Sequence, residues 1–292
     1  MSSRSISLVI IILMVLHGLL HTAPADVMAP EDSLEIISVA NAGFYLRIGD
    51  QALVIDALFD NESPKRPGIL PPPPSEYENP SLETLDALYS GQKPFKPISL
   101  ALVTHVDVDH FTAPEVIKFL SQNTIAKLCC PRQVAEKIGG RGFDPRSQII
   151  QMDPGLGKRV RHVSDSMVIT AYGMNHSGNR LQTSNIAYLI EWHGLRILHL
   201  GDAGGEKVNF SRFGDQWPKV LDIVFVPYWY FNSLEKLQII RHYLSAKILI
   251  PVHMRKNERT LLQKRHIDLE SSRLYVFPSQ GDKRLLDIHT VR

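Results

Sequence analysis

Cysteine is nearly absent from this chain: 292 residues contain two, side by side as Cys129-Cys130 in Lys-Leu-Cys-Cys-Pro. Neighbouring residues on a strand point to opposite faces, so a disulfide between them is strained, and stability must come from the core and any bound metal. The pair reads as small buried residues on a strand, with a vicinal redox pair as the alternative. No cysteine directly follows the N-terminal apolar run, which excludes a lipoprotein anchor there. Charge of one sign is lacking too. The formal net charge is +2, it falls to +1 without Arg4, and no block of Lys and Arg occurs. Nothing therefore marks an electrostatic footprint for nucleic acid. Apart from Pro71 to Pro74 there is no low-complexity tract, and no stretch resembles a linker between independent domains. The Gly-x-Ser-x-Gly elbow is missing as well, which disfavours a serine hydrolase.

What is present begins with Arg4 followed by the apolar run Ile6 to Leu16, interrupted by His17 and Gly18, and then Ala23-Pro-Ala25. This order predicts an export signal over residues 1–25, cut near Ala25, and a mature domain over 26–292 in the periplasm or secreted. The alternative is an uncleaved N-terminal anchor, and membrane contact is expected only through that segment. Hydrophobic residues make up 44% of the chain, enough for a sizeable core.

Along the mature chain, Leu34–Ala40 reads as a strand. Phe44–Ile48 and Leu53–Ile55 read as a hairpin turned by Gly49-Asp50 and ending in Asp56. Residues 60–80 form a Pro-rich loop, and Ser81 caps a helix running to Gly91. A helix starts around Pro114 after Thr112, and Ile125–Cys130 is another strand. The outline then repeats. Ile186–Glu191 and Leu195–Leu200 form a second hairpin, turned by His193-Gly194 and ending in Gly201-Asp202. Val220–Pro227 and Lys247–His253 are further strands. A helix from Glu258 to Glu270 and a strand near Tyr275–Phe277 close the chain. Strands alternating with helices in two such halves predict two packed sheets with helices outside.

The central stretch is Leu100 to Val103, an apolar strand that breaks into His105, Asp107, Asp109 and His110. Crowding these imidazoles and carboxylates without a cation costs hydration and sets carboxylates against one another. A metal relieves both; an Asp-rich surface loop is the alternative. Further strand ends carry Asp56, His176, Asp202 and His253. Taken singly they read as turn chemistry, but together they suit two metal ions with three to five ligands each.

In this arrangement the sequence resembles the metallo-β-lactamase-fold superfamily of metallo-hydrolases over essentially the whole mature chain. The residues that carry the likeness are Asp56 in Leu-Val-Ile-Asp, His105-Val-Asp107-Val-Asp109-His110, His176, Gly201-Asp202, and His253 in Ile-Pro-Val-His. The last two contexts look most similar to the branch containing ascorbate-6-phosphate lactonase and N-acylphosphatidylethanolamine phospholipase D. The resemblance implies a four-layer αββα sandwich. It implies one metal on His105, Asp107 and His176, a second on Asp109, His110 and His253, and Asp202 bridging them. Asp56 would orient a ligand histidine. The cofactors implied are two divalent ions, zinc first. Asp107 stands where the family usually has histidine, so a weaker or displaced first metal, or manganese or iron, is expected.

The activity implied is hydrolysis of an ester, lactone or phosphodiester by a metal-bridging hydroxide, with Asp109 and Asp202 catalytic and a small-molecule or lipid-like substrate. Tyr228, Trp229 and Tyr230 can line an apolar pocket or, as an aromatic cluster, pack a loop onto the core. Asn175, Asn179 and Arg180 flank His176, where they can meet an anionic group. His199, on a strand arm, reads as core. The rival classes are a nuclease of the same fold and a non-catalytic metal-binding or scaffolding protein whose site has decayed at Asp107.

Overall fold

A computed structural model describes residues 32–60, 77–141, 147–164, 166–178, 180–264, 267, 269 and 272–291. The expected signal and its cleavage point lie outside the described residues, as does most of the Pro-rich loop. The first sheet contains β1 (Ser33–Ala40), β2 (Gly43–Ile48), β3 (Gln51–Ile55), β4 (Leu100–Leu102), β5 (Lys127–Cys130) and β6 (Ile149–Gln151). The second contains β7 (Arg159–Val163), β8 (Met167–Asn175), β9 (Ser184–Trp192), β10 (Leu195–His199), β11 (Leu221–Pro227), β12 (Ala246–Val252) and β13 (Arg273–Leu274). A last strand, β14 (Lys283–Asp287), returns to pair antiparallel with β1 and gives the first sheet seven strands, as in the second.

Both halves follow one plan. An antiparallel meander (β1-β2-β3, then β7-β8-β9-β10) leads into parallel strands added at its far side. Parallel strands need crossovers, and these supply the helices. They are α1 (Leu82–Ser90), α2 (Ala113–Gln122), α3 (Arg132–Gly139), α4 (Lys207–Ser211), α5 (Leu234–Tyr243), α6 (Lys256–Lys264) and the terminal turn α7 (Ile288–Val291). Local chemistry sets their ends. The Ser81 hydroxyl accepts from the Thr84 N–H at the start of α1, and Gly91 closes that helix in a left-handed conformation.

The period-2 alternation of the strands sorts the apolar residues into three cores. Leu53 and Ile55 of β3 face Ile197, Phe225 and Ile250 of the other sheet, and the Phe44 and Phe225 rings meet at 4.7 Å. From the same strands, Ala52 and Val54 point outward to Leu85, Val116 and Phe119 of α1 and α2. On the far side, Val224 and Val226 pack under Phe210, Leu237 and Ile240 of α4 and α5. The result is the expected αββα sandwich. Its central strands are apolar on both faces because both faces are covered. Truncating Phe44 to Ala would cost about 3–5 kcal/mol by opening a cavity between the sheets.

Cys129 faces the inter-sheet core and Cys130 the outer one, both as free thiols. At the C-terminal end the structure differs from the sequence reading. The expected helix is described as α6 over Lys256–Lys264 and is not helical at 267 or 269, β13 is a two-residue strand at 273–274, and β14 follows where no strand was expected.

Candidate metal centre

The two sheets present their strand ends to one another, and the polar residues that terminate them meet there. β3 ends in Asp56 and β4 leads through Val103 and Thr104 to His105. β8 leads to His176, β10 through Leu200 and Gly201 to Asp202, and β12 to His253. Backbone pairing locks these ends together. Thr104 accepts from the Ile186 N–H at 3.0 Å, and Ser177 donates to the Asp202 carbonyl at 2.8 Å. His176 also forms a bridge with Ala203.

Gly201 is required at its position. Its φ is +55°, and a Cβ there would lie 2.5 Å from Asn185 Oδ1 and 2.7 Å from Thr104 Cβ. Asn185, buried beneath the turn, accepts from the Asp202 N–H (2.9 Å) and donates to the Leu200 carbonyl (3.1 Å). Asp56 and His253 also adopt positive φ, +47° and +58°, which side chains with a Cβ rarely do.

Asp202 reaches all four histidines. Its Oδ1 lies 3.2 Å from His110 Nε2, and its Oδ2 lies 3.3 Å from His253 Nε2, 3.6 Å from His176 Nε2 and 3.9 Å from His105 Nε2. Asp107 Oδ2 sits 3.5 Å from His105 Nε2 and 3.4 Å from His176 Nε2. Asp109 Oδ2 sits 3.1 Å from His253 Nε2 and 3.8 Å from His110 Nε2. Ligands bound at 2.0–2.1 Å in a tetrahedron stand about 3.3 Å apart, which is close to these spacings. Among the described residues, three groups have donor atoms within 4.8 Å of one another: His105, Asp107 and His176; His105, His110 and Asp202; and Asp109, His110 and His253.

The tautomers follow from the hydrogen bonds. Thr104 Oγ1 is 2.7 Å from Asp56 Oδ2 and donates to it, so toward His105 Nδ1, at 2.9 Å, the hydroxyl must accept. His110 Nδ1 donates to Asp56 Oδ2 (2.9 Å) and His176 Nδ1 to the Ser177 carbonyl (2.8 Å). In its neutral form each ring therefore carries its proton on Nδ1 and turns the Nε2 lone pair inward. The Nε2 atoms of His105, His110 and His176, and Oδ1 of Asp202, are buried and make no hydrogen bond. Buried polar atoms of this kind are costly unless something binds them. A cation meets that need, and the donor set fits one.

Electrostatics point the same way. Burial pushes the carboxyls of Asp56, Asp107, Asp109 and Asp202 up, but neighbouring imidazoles, with Arg180 beside Asp107, bring each below its usual range. Asp109 falls to about 2. In return, and against burial, the carboxylates raise His110 well above the usual imidazole value and His253 to about 9. Protons thus hold places that cations can take.

His199 is the informative contrast. Its Nδ1 accepts from the Gly201 N–H (3.1 Å) and its Nε2 donates to the Ala42 carbonyl (3.0 Å). With both nitrogens satisfied by backbone, it sits in the core below the site. Burial holds its pKa down, so it stays neutral.

Other residues near the site were not apparent from the sequence. Asn41, in the β1–β2 turn, donates to Asp109 Oδ2 (3.1 Å) and accepts from the His253 N–H (3.4 Å). Its motif signal was an Ala-Asn-Ala-Gly turn. The Tyr77 ring meets His253 edge to face at 4.3 Å, with no signal beyond its place at the end of the Pro-rich loop. Trp229, by contrast one of the expected pocket residues, stands 5.2 Å from His253 with its indole N–H on the Ala203 carbonyl.

The remaining expected substrate residues are placed differently. Tyr230 is fully buried with its hydroxyl on the Gly204 carbonyl (2.8 Å), so it supports the backbone from within the core. Tyr228 packs half-buried on the outer core. Asn175 takes part through its backbone, which Asn209 and Gly204 hold. Arg180 forks onto Asp107, with Nη2 at 2.6 Å from Oδ1 and Nη1 on Oδ2. Asn179 lies outside the described residues.

This fold, with a crossing of His and Asp strand ends, defines the metallo-hydrolase class that the sequence resembles. The family model "Beta-lactamase superfamily domain" matches residues 53–266, and the chain belongs to that family. Among solved structures, Igni18, a metallo hydrolase from the hyperthermophilic archaeon Ignicoccus hospitalis, aligns at TM-score 0.58 and 16% identity over 87% of this chain and 98% of its own. The metallo-β-lactamase fold protein YhfI from Bacillus subtilis aligns at 0.58 and 13%, over 87% and 99%. CmlA, a diiron β-hydroxylase from Streptomyces venezuelae, aligns at 0.55 and 14%, over 88% of this chain and 54% of its own. At such identities these likenesses concern the fold. No curated protein matches the chain.

Proposed function

We propose that this family member is a dinuclear metal-dependent hydrolase acting on an ester, lactone or phosphodiester. The observation that carries the reading is the set of inward, unbonded Nε2 atoms on His105, His110 and His176, with Asp202 touching all four histidines. His105, Asp107 and His176 would hold one ion, and Asp109, His110 and His253 the other, with Asp202 shared. When bound, two divalent cations acidify water and stabilise a developing oxyanion. The chain's own part is orientation and proton handling. Asp56 fixes the His110 ring and, through Thr104, the His105 ring. Asn41 donates to Asp109 Oδ2 and holds it beside His253, where the carboxylate can orient the attacking water. The Tyr77 and Trp229 rings against His253 offer an apolar wall to a small or lipid-like substrate.

Zinc suits the two imidazoles that each half offers, while manganese or iron gains from the carboxylate at Asp107. The lactonase and phospholipase contexts around Asp202 and His253 support the lactone and phosphodiester choices. Export is supported by the run Ile6 to Leu16, and N-terminal sequencing of the native protein tests it. No helix among the described residues is long and apolar enough to cross a membrane.

The deciding experiment is elemental analysis of purified protein followed by a panel of lactone, phosphodiester and β-lactam substrates. About two metals per chain with metal-dependent turnover is the expected result. A chain that takes up no metal would instead be a scaffold of this fold.

A further inference from the structure

The two halves of the centre differ in what stands behind their carboxylates. Asp109 is held by a neutral amide, Asn41 Nδ2 at 3.1 Å. Asp107 is gripped by a cation, with the Arg180 guanidinium engaging both of its oxygens. The same Oδ2 that Arg180 bonds is the one that faces His105 and His176 at 3.5 and 3.4 Å. A metal bound to that half must share Oδ2 with a fixed positive charge or displace it. Arg180 is always protonated, and its fork matches a carboxylate far better than a lysine would. Its side chain is 49% exposed and comes from the loop after β8, so it can swing away from Asp107 without disturbing the core.

We propose that Arg180 is a built-in competitor for the second cation, making the centre unequal: the Asp109–His110–His253 half is filled first, and the His105–Asp107–His176 half only as Arg180 yields Asp107. This rests on the metal-centre reading above. It accounts for Asp107 at a position where the family usually has histidine. A neutral imidazole would offer the guanidinium a single acceptor and no charge, whereas a carboxylate binds either cation in a fork.

The test is calorimetric titration of chelator-stripped protein with Zn²⁺, with circular dichroism confirming the fold of each variant. The wild type should bind one equivalent tightly and a second more weakly. Arg180→Ala should leave the first equivalent unchanged and tighten the second by about ten- to hundredfold, the range over which groups bonded to a ligand tune metal affinity. Arg180→Lys, which keeps the charge without the fork, should fall between them. Asp109→Ala should remove the tight equivalent and Asp107→Ala the weak one. Two equal equivalents in the wild type that Arg180→Ala leaves unchanged would overturn the competition and leave the metal centre standing. A second equivalent weakened by Arg180→Ala would overturn it too. Absence of zinc binding in wild type and variant alike would overturn the centre itself.

Discussion

Asp56 and Asp202 occupy matching places in the two sheets. Each ends the second arm of a hairpin, at β3 and β10, and each is reached through a positive-φ residue, Asp56 itself or Gly201. Yet Asp56 is spent. Its Oδ1 accepts from the Thr104 N–H at 2.8 Å, and its Oδ2 takes Thr104 Oγ1 and His110 Nδ1. Asp202 has its backbone held by Asn185 and Ser177, and its carboxylate left open to four imidazoles. One supersecondary device has thus produced an orienting group in one half and a shared ligand in the other. The difference lies in the neighbours: Thr104 and His110 crowd the first turn, while the second faces the converging rings.

The sharpest break in that comparison is Asp202→Ala. It should lower turnover by at least ~10³-fold, since several kcal/mol of transition-state stabilisation depend on a properly held metal pair. Metal analysis should show both half-sites weakened. Undiminished activity would refute the shared role. Asp56→Asn should do less, about ten- to hundredfold in metal affinity, because it loosens His110 and His105 without removing a ligand. A dialysis series against a graded chelator reads this directly, and an unchanged affinity would mean that the rings need no such anchor.

A pH series comes next. His110 and His253 must lose protons to bind metal, so affinity should rise with pH, for His253 up to about 9, by up to about tenfold per unit for each proton released. Stability of the metal-free protein should run the opposite way. The raised imidazoles contribute fully below 6.5, and the His253 contribution fades as pH climbs through about 9. Melting temperatures at pH 6.5 and 9.5, with and without zinc, separate the two trends, and parallel trends would contradict them. The smallest effect on metal belongs to His199→Gln. Loss of its bonds to Ala42 and Gly201 should cost about 1–3 kcal/mol in urea titrations while zinc affinity holds.

The sheets and the ligand set were legible because burial on both faces forces continuous apolar runs, and because each run ended in an unusual polar residue. Asp56, His176, Asp202 and His253 could be read one by one as the residue where a strand stops. What lay hidden depended on the third dimension. β14 reads Lys-Arg-Leu-Leu-Asp, an edge strand with one buried residue, so its pattern carries little signal. Asn41 and Thr104 are small polar residues whose importance comes from what approaches them across the sheets. The run Tyr228 to Phe231 looked like a pocket wall, but a short 3₁₀ turn rotates Tyr230 into the core and leaves Trp229 beside His253.

The adjacent thiols of β5 also matter for work with this protein. Burial in two separate cores raises Cys129 to about 12 and Cys130 further, so neither presents a thiolate at neutral pH. A thiol-modifying dye should therefore ignore the native state and mark a molecule only once the sandwich has opened. Because the chain has no other sulfhydryl, the rate of labelling becomes a clock for global unfolding, and zinc titrations run free of any competing sulfur.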